Sequence, residues 1–138
     1  MSMNQARFGL LAIFLGSLVL QLSAFLLVRN RMWPEELLPL VLKLLGIYSV
    51  QFGVVLGGIF AQPKVSLSDP PAALAWTALI LATLWNVLLV ERSLSFSLAQ
   101  QDSVVGLSNY LDSISSAGSF LVAGVLTFFF GKATQPTV

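Results

Sequence analysis

Asp112, Ser116, Ser119 and Thr127 recur at helical spacing, with Ala123 between them, in a stretch that is otherwise apolar. One acid followed by hydroxyls down a helix face is what a cation path needs when several copies surround an axis. The same residues have a plainer use. An aspartate near the interface caps the helix, and serine hydroxyls bond carbonyls one turn back. Lys43 is a second charge inside an apolar run, about 10 Å along its helix at the usual rise per residue. It either reaches back to the level of Glu35 and Glu36 or pairs with Asp112 or Glu91 from the same side. Three amides, Gln21, Gln51 and Asn86, also lie within apolar runs. Each needs a partner, because an unsatisfied amide in hydrocarbon is costly. They act as glue between helices or as the lining of a polar cavity.

Other chemistry is thinly represented. The chain has no cysteine and no histidine, which removes disulfides, thiolate chemistry and the usual general base at neutral pH. No nucleophile–base pair, metal cluster or phosphate loop is apparent, and Gly57-Gly58 is too short to cradle phosphate. The expectation is a protein that is not an enzyme and carries no cofactor. Net charge is +1 with no basic stripe, so nucleic acid is not an expected partner.

The elements that position these residues are set by composition. Of 138 residues, 57% are hydrophobic and only 9% charged, with mean hydropathy +0.88. A soluble domain carries roughly 25% charged residues. So few charges cannot cover a water-facing surface, and the reading is an integral membrane protein with the lipid bilayer as its first partner. Four apolar runs are long enough to cross, at about 8–28, 37–61, 71–91 and 110–131. The expected fold is all-α, a single domain of four transmembrane helices packed as a bundle.

The boundaries are punctuated. Run one ends in Arg29-Asn30-Arg31, cations at a helix C-terminus. Trp33 suits the interfacial belt, Pro34 the first helical position, and Glu35 and Glu36 the positive end of the dipole. Helices one and two therefore form a tight antiparallel hairpin. Asp69-Pro70-Pro71 predicts the start of helix three. Ser93 to Leu107 reads as an interfacial segment, with an early start of helix four capped at Asp102-Ser103 as the alternative. The positive-inside count is nearly tied; the expectation is cytoplasmic termini in a bacterial inner membrane.

Small residues form stripes. Gly46, Gly53 and Gly57 share one face of helix two, the last two as a GxxxG. Gly16 lies on a small face of helix one, and Gly124 on one of helix four. In lipid no hydrophobic drive operates between helices, so small residues let backbones approach and gain dispersion contacts. Gln51 and Tyr48 point away from the helix-two stripe. Two specialised faces place helix two at the centre of the bundle.

The string Arg29-Asn30-Arg31-Met32-Trp33-Pro34-Glu35-Glu36 resembles the first hairpin of the small four-span subunit of tripartite substrate-binding-protein-dependent transporters, which often has an arginine, a tryptophan and a Glu-Glu pair there. The resemblance covers only these residues, and the rest of the hairpin and helix four depart from it. It implies a membrane subunit that packs against a larger partner. A small multidrug exporter needs an acid deep in its first helix, and Phe8 to Val28 has none. Two functions follow. One is a self-assembling homo-oligomer that forms an ion-permeable pore lined by helix four. The other is an anchor or assembly subunit for another membrane protein, in a transporter or in a defence- or toxin-like system.

Overall fold

The computed structural model describes residues 3–60, 72–99 and 103–132. Four helices make up the described chain: α1 (Met3–Val28), α2 (Pro34–Phe60), α3 (Ala72–Leu94) and α4 (Val104–Lys132). Three of them, α1, α2 and α3, are long and apolar enough to cross a membrane. The expected cap at Asp69-Pro70-Pro71 lies outside the described residues.

The α1–α2 hairpin forms as the sequence predicts. A 3-10 turn at Arg29–Arg31 ends α1, and α2 begins at Pro34. The Glu36 side chain accepts the Trp33 backbone N–H at 3.1 Å, one half of a capping box. Pro39 falls early in α2, where its missing N–H forfeits only one bond at the exposed end of the helix.

Between α3 and α4 the structure departs from an interfacial helix over Ser93–Leu107. Instead α3 carries on to Leu94 and widens into a π turn at Ser95–Ala99. The alternative start of α4 is the one adopted. Ser103 Oγ accepts the Gly106 N–H at 3.0 Å, and Ser103 O accepts the Leu107 N–H at 2.9 Å. Phe96, in the π turn, is partly buried against the core.

The helices pack as a square. α1 touches α2 and α3, and α4 touches α2 and α3. Helix two is therefore not central; it is one corner. The reason is that its bulky side turns inward. Leu44, Ile47, Tyr48 and Val55 are buried, while Gly46, Gly53 and Gly57 are exposed. The core is closed mid-bundle by four rings, with Phe14–Tyr48, Phe14–Trp85 and Tyr48–Trp85 centroids 6.3, 6.2 and 5.7 Å apart. Phe52 stands edge-on to Phe14 at 6.5 Å. Such tilted pairs contribute beyond the area they bury.

α3 supplies the close approaches. Ala75, Ala78 and Ala82 are all at most 5% exposed. On α4, Gly118 lies directly against the Trp85 indole, and a Cβ there would fall on Cδ1 and Nε1 of that ring. Trp85 Nε1 donates to Ile114 O at 3.3 Å.

Candidate functional site

Two polar clusters occupy the bundle, one enclosed and one at the surface. The enclosed cluster links three helices. Ser93 Oγ donates to Gln21 Oε1 at 2.9 Å, Gln21 Nε2 donates to Tyr48 Oη at 2.7 Å, and Tyr48 Oη donates to Asn86 Oδ1 at 2.8 Å. Asn86 Nδ2 then donates to Ala82 O at 2.7 Å. The chain of bonds leaves α3 at Ser93, passes through α1 and α2, and returns to α3 at Asn86. Every donor in it meets an acceptor, as a low-dielectric interior demands. Gln21 and Tyr48 are fully buried, and Asn86 is 2% exposed.

Gln51 does not join this network. It is fully buried, and neither its Nε2 nor its Oε1 has a hydrogen-bond partner. The three amides thus divide: Gln21 and Asn86 tie helices together, and Gln51 sits unsatisfied in the core.

The second cluster closes the seam between α2 and α4. Lys43 Nζ lies 2.8 Å from Asp112 Oδ2 and also donates to Ser108 Oγ. Of the two partners open to Lys43 in the sequence, Asp112 is the one it meets. Lys43 lies nine residues beyond Pro34, and Asp112 eight beyond Val104, so each is about 12–14 Å along its helix. The Asp112 side chain remains 62% exposed.

On α4, Ser116 Oγ donates to Ser113 O at 3.1 Å, and Ser113 Oγ donates to Asn109 O at 2.9 Å. Ser116 and Thr127 are exposed. The Ser119 side chain lies outside the described set. Within one chain, then, Asp112, Ser116 and Thr127 face outward, with the acid ion-paired and the Ser116 hydroxyl held by the helix backbone.

The glycines also face outward. A Cβ added at Gly16, Gly46, Gly53, Gly57 or Gly124 would meet no atom within 4 Å. At about 100° per residue, Gly46, Gly53 and Gly57 fall within roughly 40° of one another and opposite Leu44 and Val55. Asp112, Ser116 and Thr127 fall within roughly 60° on α4, on the side away from α3. Lys43 flanks the first row and Asp112 belongs to the second. The two rows therefore border the same seam and make one outer face of the bundle. Gly16 is elsewhere, lining an apolar groove of about 620 Å³ between α1 and α3.

Gly118 was not distinguishable in the sequence from the other small residues of α4. The signal for it is a buried tryptophan on the facing helix, which only the packing supplies. No family model matches the chain, and neither a curated protein nor a solved structure is significantly similar to it.

Proposed function

We propose that this chain is a non-enzymatic membrane subunit in which all four helices span the bilayer and the outer α2–α4 face binds a second copy. The observation that carries the reading is the outward glycine row Gly46, Gly53 and Gly57, open at every Cβ position and adjoining the partly exposed Lys43–Asp112 pair. Against lipid alone, a smooth row of glycines exposes backbone and gains no packing. Against another helix it permits close approach. A charge pair at this depth is also shielded best by protein.

Native mass spectrometry of the protein in nanodiscs, with no partner present, tests this. The expected result is a closed oligomer, reduced to monomer by Gly53→Leu or Gly57→Leu with helical content retained. A wild-type monomer rules out self-association and leaves the anchor reading, in which the same face takes a different membrane protein.

An ion path is a second reading, favoured by the 62% exposure of Asp112 on the face that would meet neighbouring copies. It adds one requirement: Asp112→Asn changes cation flux in liposomes while the oligomer persists. Unchanged flux removes the α4 row as a lining.

A further inference from the structure

At one end of the bundle the turn after α1, the start of α2, the π turn and the start of α4 border an open cavity of about 260 Å³. Two opposite charges share its wall, Arg31 and Glu36. No ion pair joins them. The Glu36 carboxylate is held in place by the Trp33 N–H on Oε2, which leaves its other oxygen for a ligand. Ser103 also lines the cavity; its Oγ accepts the Gly106 N–H and keeps its own proton to donate. The remaining wall is apolar, with Val28, Met32 and Phe96.

Unlike charges that line one cavity without pairing are the complement of a zwitterion: a cation for its anionic pole and an anion for its ammonium. The location favours a lipid over a soluble molecule. Trp33 and Leu27, each 76% exposed, flank this end, where an aromatic ring marks the headgroup level and a leucine side chain meets acyl chains. The π turn that contributes Phe96 also holds Ser97, whose Oγ is buried without a partner. Widened turns of this kind are frequent at functional sites.

We propose that this cavity binds the headgroup of a phosphoethanolamine lipid, with the phosphate on Arg31 and Ser103 and the ammonium on Glu36. The inference rests on the membrane reading of the chain and is independent of self-association.

The test uses the full chain in nanodiscs holding equal amounts of phosphatidylethanolamine and phosphatidylglycerol, with bound lipid weighed by native mass spectrometry. The glycerol lipid has the phosphate but no ammonium. Wild type should retain the ethanolamine lipid roughly tenfold over the glycerol lipid, the scale of one hydrogen bond to a charged group. Glu36→Gln keeps a residue able to complete the capping box and removes the charge, so the ratio should fall to about one. Arg31→Gln should weaken retention of both lipids. A wild-type ratio near one, or a ratio and retention unchanged in both variants, overturns the proposal. Free phosphoethanolamine, which lacks acyl chains, should displace the lipid only in large excess; displacement at a concentration equal to the lipid's would make the soluble molecule the occupant and overturn the lipid assignment. The same spectra give the protein mass, so loss of self-association is read separately from loss of lipid.

Discussion

α2 and α3 both carry small residues at helical spacing, yet they use them in opposite directions. On α3, Ala75, Ala78 and Ala82 face into the bundle and let neighbouring helices come close. On α2, Gly46, Gly53 and Gly57 face out, and the inward side is built from Leu44, Ile47, Tyr48 and Val55. What decides the direction is the opposite face of each helix. α3 presents Trp76, Ile80, Leu84 and Val87 outward, each more than half exposed, a surface suited to acyl chains. α2 has its aromatic anchor, Tyr48, on the inward side, hydrogen-bonded to Gln21 and Asn86, and burying it outweighs burying glycine. A small-residue stripe therefore marks a close approach without saying whether the neighbour is in the same chain.

That contrast can be broken or sharpened by substitution. The largest effect is expected inside. Gly118→Ala should destabilise the bundle by about 1–3 kcal/mol, because the new methyl overlaps Trp85 and the helix backbone cannot easily yield. Thermal unfolding in detergent checks it, and an unchanged midpoint would mean that the indole moves freely. Next comes Tyr48→Phe, which removes the acceptor for Gln21 and the donor to Asn86. A loss of about 1–2 kcal/mol is expected, from buried-polar costs tempered by the smaller values found between membrane helices. Asp112→Asn should cost about 0–1 kcal/mol of stability in detergent, since the Asp112 side chain is 62% exposed and the amide oxygen can still accept from Lys43. Its consequence should appear in assembly or flux instead. Smallest and of opposite sign, Gly53→Ala should leave the monomer fold unchanged or stabilise it by up to about 1 kcal/mol through helix propensity, as nothing stands in the way of the methyl. A marked loss of monomer stability there would show that the glycine row is already packed within the chain.

Much of the architecture was legible in the sequence, and the failures have a common cause. The helical runs and the hairpin at Trp33-Pro34-Glu35-Glu36 were readable because caps, charges and lengths are local signals, whereas the partner of Lys43 stayed open among Asp112, Glu91 and the Glu35–Glu36 level. The arrangement of helices around the bundle was not. In a water-soluble bundle the apolar stripe points inward, so pattern gives orientation. In the proposed bilayer setting lipid is as apolar as the core, and the inward and outward sides of α2 differ mainly in residue size. Gly118 was hidden for a related reason: its constraint comes from Trp85, 33 residues away in the chain and on another helix. The sequence marks Gln21, Gln51 and Asn86 alike as amides needing partners, and spacing does not say that Gln21 and Asn86 find them and Gln51 does not.

The three tryptophans turn the packing into a spectroscopic property. Trp33 and Trp76 are 76% and 54% exposed, while Trp85 is 4% exposed and donates to Ile114 O across the α3–α4 contact. With Trp33 and Trp76 replaced by phenylalanine, the chain carries a single fluorophore lodged against a glycine of the neighbouring helix. Its emission should be insensitive to aqueous quenchers and to lipid-borne ones alike, as long as α4 is docked. Separation of α4 from α3 would expose the ring at once, so the light emitted by one residue counts how often the fourth helix leaves the bundle.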